Sequence, residues 1–383
     1  MSAYSVRPFL VAVLCALTCS GVARDGWAQS TGGPTARANA LSRAWSAIAE
    51  QKYSAAEQIA EQLLKQAATD HVALMVRIAA RAEAGNPSTA LDAYEEWLQR
   101  SRREDLFLLE PVAVATLAAL AGSADQGIVS ASLIRLARYD PGRARLLLPR
   151  GPTRSPALDG AAAALGDPEA IARLSKALSS STPPIKMLAL SQMSNVPSID
   201  SAMLVPLLSD PAPPVRAEAA KALAARAGSQ AIDRLRPLLQ DPDGFVRVSA
   251  AVALAQLGDG DATRALMQMM ESPAGDTAAM AATVLKQKGV DVSAVAERVL
   301  RDENPLTRLS AIPLIQTSDP ARALDLLRQA ARDSNPVIRS RTAEVLEHIG
   351  VEDLAVLRTL LRDESAEVRM HAASSLLRLA GTR

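Results

Sequence analysis

The chain has 383 residues, 49% hydrophobic but only 3% aromatic, and is rich in Ala, Leu and Arg, so helix is expected and a strand-rich fold is excluded. Lys and Arg number 42 against 41 Asp and Glu, a balance that gives the whole chain no drive toward nucleic acid or anionic lipid. Both cysteines, Cys15 and Cys19, lie near the N-terminus, which excludes a disulfide framework for everything downstream.

Arg7 precedes an apolar run from Phe9 to Leu17, and small residues follow at Gly21-Val22-Ala23 and Gly26-Trp27-Ala28. This is the layout of a secretory signal peptide over residues 1–28, cleaved near Ala23 or Ala28, with an apolar run too short for a membrane span. The expectation is a periplasmic or secreted product with no transmembrane span and no cysteine. Cys19 offers a lipoprotein alternative, although Thr18 before it is bulkier than the small residue normally found there. Residues 29–39 are rich in Gly, Ser, Thr and Pro and read as a flexible lead-in.

Over residues 40–149 a first period emerges. Tyr53-Ser54-Ala55-Ala56 aligns with Pro87-Ser88-Thr89-Ala90, so Ala56 and Ala90 are 34 residues apart. The stretch Ala84 to Tyr94 resembles the turn and second helix of a tetratricopeptide repeat, in which a Gly-containing turn joins two helices and a small residue lets them approach. The first unit carries Gln51 where the second has Gly85. Leu106 to Leu120 and Ile128 to Leu136 read as a third, degenerate pair, and Arg150 to Pro156 concentrates Pro and Gly as a domain boundary.

From there to Arg383 a second period takes over. Turn residues recur at Ser180, Asp210, Asp241, Ser272, Asp302, Asp333 and Asp363, at intervals of 30 or 31. An apolar or β-branched residue follows five positions later, small residues nine and ten later, and Met193, Leu223, Leu254, Leu285, Ile315, Leu346 and Leu376 thirteen later. These spacings lie on one helical stripe. A second amphipathic helix precedes each turn, for example Leu354, Leu357, Leu360 and Leu361. The predicted fold is therefore all-α, a right-handed α-solenoid of antiparallel helical hairpins, expected as a curved rod on the order of 60 Å long at 8–10 Å per packed helix. Pro206 and Pro237, at equivalent places in successive first helices, are expected to bend them. The turn Asp or Ser is expected to accept hydrogen bonds from the amides that open the second helix.

The recurring Asp, Val-Arg, Ala-Ala and Leu, as in Asp363, Val368-Arg369, Ala372-Ala373 and Leu376, resembles HEAT repeats of the kind found in phycobilisome-lyase-like proteins. That resemblance implies a ladder between neighbouring units, pairing Asp210, Asp241, Asp302, Asp333 and Asp363 with Arg216, Arg247, Arg308, Arg339 and Arg369. The helical phase puts these arginines on the packed side of the helix rather than opposite it. The unit at Ser272 lacks both partners, with Ala278 in the arginine position.

Second helices line the concave side in HEAT-like solenoids, which makes their outward stripe the expected binding face. Its candidate residues are Glu218, Lys221, Gln256, Arg341, Glu344, His348, His371 and Arg378. Only His71, His348 and His371 are available as histidine ligands, and none is followed by Glu as in the iron-binding HEAT hydroxylases. A nucleophile elbow and a phosphate loop are both missing from the sequence. The chain reads as a non-catalytic scaffold without cofactor, binding a protein or peptide partner, in envelope assembly or secretion. The alternatives are a lyase-like cofactor chaperone and a lipid-anchored outer-membrane assembly factor.

Overall fold

The computed structural model describes residues 34–149, 158–193, 200–349 and 354–381. The signal peptide, both cysteines and the boundary at Arg150 to Pro156 lie outside the described residues. Every element among the described residues is helical.

Helices α1 (Pro34–Ala49), α2 (Tyr53–Gln66), α3 (His71–Glu83) and α4 (Pro87–Ser101) form two hairpins. The chain is thus helical from Pro34, inside the stretch expected to be a lead-in up to Asn39. Ala56 and Ala90 are both fully buried, which lets each second helix approach its first. The period extends to polar contacts at the helix starts. Arg37 donates to Asp70, the residue capping α3, at 2.7 and 2.8 Å. His71, 34 residues after Arg37, meets Asp105, the cap of the next helix, at 2.7 Å. That next pair is α5 (Leu106–Leu120) with α6 (Gln126–Tyr139), followed by the short α7 (Pro141–Leu147).

Helices α8 (Asp159–Ala164), α9 (Pro168–Ala177) and α10 (Pro183–Met193) lead into the regular stack. The 3-10 segment Ser201–Ser209 pairs with α11 (Pro213–Ala227), and α12 (Ile232–Leu235) with the 3-10 segment Arg236–Gln240 pairs with α13 (Gly244–Gln256). Pro206 and Pro237 sit within these 3-10 segments, where the missing proline amide breaks the α-helical ladder. Next come α14 (Gly260–Met270) with α15 (Gly275–Gln287), then α16 (Ser293–Val299) with α17 (Pro305–Ser310) and α18 (Ile312–Ile315). The last two are one second helix divided near Pro313. Two further hairpins finish the chain: α19 (Pro320–Ala330) with α20 (Pro336–Ile349), and α21 (Leu354–Leu361) with α22 (Ala366–Gly381).

The apolar stripe of the second helices is the core. Val215, Val246 and Val368 are fully buried, as are Leu254, Leu285, Leu346 and Leu376 further along the same helices. Ile185, at the equivalent place in the first unit, is an exception at 45% exposed. Each fully buried Leu contributes about 2 kcal/mol against unfolding, and no single hairpin holds enough of them to stand alone.

The open rod expected from the repeat count does not form, because the stack returns on itself. Helix packing runs from α5 to α6, α8, α10, α11, α13, α15, α17, α20 and α22, and α22 then packs along α5 to complete a circuit. The physical cause lies in two helices. Helix α5, LFLLEPVAVATLAAL, has one charged residue in 15 and no polar face, so it needs neighbours on several sides. Helix α22 buries Val368, Met370, His371, Ser374, Ser375, Leu377 and Leu379, residues that point in several directions. Each supplies the other's missing partner.

Ion pairs seal this closure. Arg362 reaches Asp92 at 2.5 Å and Glu95 at 2.8 Å, both on α4. Arg358 pairs with Glu104 and lies over the Tyr94 ring, 5.8 Å from its centroid. The Tyr94 hydroxyl donates to Glu104 at 2.7 Å and accepts from the Asp105 amide at 2.9 Å. Burial, first of all, together with that carboxylate, raises the Tyr94 pKa well above the usual phenol range.

Candidate partner-binding surface

Two polar systems organise the second helices. The first is the turn. At all seven turns the Asp or Ser side chain accepts from the amide two residues on, at 2.8–3.2 Å, as in Asp210 with Ala212, Ser272 with Ala274 and Asp363 with Ser365. This corrects the expected arrangement, since the acceptor closes the turn before the helix begins. Where the helix is side-chain capped, the cap is a later residue, Asp243 or Asn304.

The second system is the ladder. Arg216, Arg247, Arg308, Arg339 and Arg369 each donate Nη1 to the two carbonyls of their own turn, for instance Arg247 to Asp241 and Pro242 at 2.7 and 2.9 Å. Two of them also bridge to the following unit. Arg216 grips Asp241 through Nε and Nη2 at 2.8 and 2.7 Å, and Arg339 grips Asp363 at 2.6 and 2.9 Å. A further rung joins Lys186 to Asp210. Lys186 stands six residues after Ser180, in the arginine phase, and a search for Arg alone passes it over.

Among the described residues no ion pair links Arg247 to the Ser272 turn or Arg308 to Asp333. At Ser272 the next unit comes close instead: a Cβ on Gly275 would stand 2.6 Å from Thr307 and 2.7 Å from Asp302. The small residue thus admits the neighbour that Ala278 has no charge to hold.

From α10 to α22 successive second helices touch one another, whereas the first helices between them pack onto second helices, so in this stack the second helices follow the tighter, inner curve. On that face Lys221, Ser249, Val252, Gln256 and Met280, from α11, α13 and α15, line one pocket of about 350 Å3. Lys221 forms a 3.6 Å pair with Glu218 and lies over the exposed Phe245 ring at 5.2 Å from its centroid. The Ser249 hydroxyl is fully buried in the wall and has no hydrogen-bond partner.

The other predicted residues separate. Arg341 and Glu344 pair at 2.8 Å, and the second Glu344 oxygen lies 3.5 Å from Nδ1 of His371. His371 is buried at 7% exposure, and Arg135 of α6 reaches its ring at 3.5 Å across the closure. His371 therefore belongs to the α5–α6–α22 junction rather than to an open stripe. Arg378 is exposed at the far end of α22. The side chain of His348 lies outside the described residues. Arg135 could not be found from the repeat, because it stands 236 residues from the histidine it touches. No group of three or more His, Cys, Asp or Glu among the described residues is placed to hold a metal ion.

These features define an α-solenoid built of helical hairpins on a 30–31-residue period. Residues 199–286 and 292–378 match the family model of HEAT repeats. The unit at Ser180 precedes the matched span. No curated protein matches the chain. Among solved structures, that of an engineered protein is 19% identical, covering 92% of this chain and 97% of its own, with a TM-score of 0.22. No described helix is long and apolar enough to cross a membrane.

Proposed function

We propose that this protein is an exported, non-catalytic scaffold that holds a protein or peptide partner, with a role in envelope assembly or secretion. The observation that carries the reading is the pocket of about 350 Å3 where three successive second helices offer Val252 and Met280 beneath the polar rim of Lys221 and Gln256. An apolar floor with a few oriented polar groups suits a side chain from an extended segment better than it suits chemistry on a small substrate. Export rests on the order of Arg7, the apolar run Phe9 to Leu17, and Ala28.

Affinity capture from periplasmic extract with the mature chain recovers a specific partner, and Val252→Glu, which puts a charge in the pocket wall, loses it. Equal capture by the variant would overturn the assignment of the surface. Mass spectrometry of the mature N-terminus finds a start after Ala23 or Ala28. A retained Met1 refutes export, and a lipid on Cys19 replaces a soluble product with an anchored one.

A further inference from the structure

The two edges of each ladder arginine do different work. Nη1 is spent on the carbonyls of its own turn, which orients the guanidinium, and the Nε–Nη2 edge is thereby aimed at the following unit. In Arg216 and Arg339 that edge closes a bidentate pair with Asp241 and Asp363. Arg369 is anchored in the same way, by Nη1 to Asp363 at 2.6 Å and Glu364 at 2.9 Å. The helix packed along α22 beyond it is α5, and among the described residues Arg369 makes no ion pair. Beside it, between α4, α5 and the turn after α21, the chain leaves a pocket of about 400 Å3. Arg369 lines it together with Ser88, Leu91, Val112, Leu361 and Asp363. The neighbouring Arg362 is already held by Asp92 and Glu95, and the Asp363 carboxylate by Arg339, which leaves Arg369 the lining cation with no ion pair among the described residues.

We propose that this pocket is a carboxylate-binding site, which takes an acidic side chain from an extended or turn segment of the partner as Arg216 takes Asp241. A planar guanidinium already fixed by two carbonyls gives up little entropy on receiving a carboxylate. The volume exceeds that of a carboxylate alone, and the Leu91, Val112 and Leu361 walls suit the apolar residues beside the acid. The chain's own turns, such as Leu207-Leu208-Ser209-Asp210-Pro211, combine those two features. Arg308, a second-helix arginine beside a smaller pocket, faces only about 40 Å3, too little for such a segment. This inference rests on the scaffold reading and gives the partner a chemistry.

The probe is the blocked peptide Leu-Leu-Ser-Asp-Pro-Ala, the sequence of residues 207–212, titrated into the full chain while the Arg369 Nε–Hε resonance is followed by NMR. Saturable binding is expected that shifts this resonance and weakens at least tenfold when Asn replaces Asp in the peptide. Arg369→Gln weakens binding to the same degree. Because that change also frees the turn carbonyls, Ser88→Phe, which fills the pocket and leaves the rung intact, serves as the second variant and also abolishes binding. Undiminished binding to either variant overturns the proposal, as does displacement of the peptide by acetate at equal concentration, which would mark a small-acid site. Capture of the same partner by wild type and Ser88→Phe alike would remove the pocket but keep the scaffold. Peptide binding without any captured partner would do the reverse.

Discussion

Gln51 and Gly85, 34 residues apart, share a left-handed backbone, with φ of 61° and 80°. Each ends the first helix of its hairpin, and the geometry of the turn imposes that conformation whichever residue is present. For Gln the Cβ makes it costly, by about 1 kcal/mol, whereas Gly adopts it freely. Gln51→Gly is therefore expected to stabilise the protein by up to about 1 kcal/mol, and Gly85→Ala to destabilise it by a similar amount. Urea melts of the two variants check both signs.

The ladder arginines should differ in weight although they share one sequence motif. Arg216→Gln removes the two turn bonds and leaves Asp241 buried without its cation, an expected loss of ~2–3 kcal/mol. Arg308→Gln removes the turn bonds alone and should cost about 1 kcal/mol. Equal losses would mean that the bridge to the neighbouring unit contributes nothing.

Acid should weaken the same joints. Hydrogen bonding from Arg216, first of all, holds the Asp241 carboxyl below the usual carboxylate range. At Asp210 and Asp363 burial pushes upward, but Lys186 and Arg339, with the turn amides, bring the net result below that range as well. A folded pKa below the unfolded one means that the unfolded chain binds more protons as pH falls. The stabilisation is complete above the ordinary carboxylate range and is lost as pH drops through the depressed folded values. Asp241→Asn should be less stable than wild type near neutrality and should lose less on acidification. Denaturant melts at several pH values between neutrality and about pH 3 measure the two slopes.

Closure makes α22 indispensable to a helix far from it in sequence. A chain ending before Leu354 uncovers α5 and should bind an apolar dye and self-associate. Arg362→Glu should weaken the seam more mildly, with partial rescue by Glu95→Arg. A truncated chain that stays monomeric and dye-silent would show that α5 finds cover elsewhere.

The parts of the fold that repeat were the parts legible beforehand. Thirty residues of spacing place Asp210, Val215 and Leu223 on the same stripe as Asp241, Val246 and Leu254, so their packing follows from one helical period. The closure does not repeat, and Arg358 stands 254 residues from Glu104, beyond any local pattern. Its trace was nevertheless present in α5, which has no polar face to give to water. Lys221 and Gln256, expected on one stripe, do line one pocket, because successive units carry that helical phase in register. His371 was misplaced because the partners that bury it, Arg135 among them, come from outside the period.

A linear array frays from its ends, since the outermost unit has one neighbour fewer than the rest. A circuit has no outermost unit, so it must open at whichever internal seam is least secured. Among the described residues the bridges to the next turn's aspartate are present at Lys186, Arg216 and Arg339 and absent from the Asp241 turn to the Asp333 turn, where Arg236–Asp259 and Arg322–Glu297 join neighbouring units instead. That arc, joined by first-helix ion pairs and not by the ladder, includes Val252, Gln256 and Met280. The wall of the proposed binding pocket is therefore the part of the circuit whose second helices are held by apolar packing without a ladder rung.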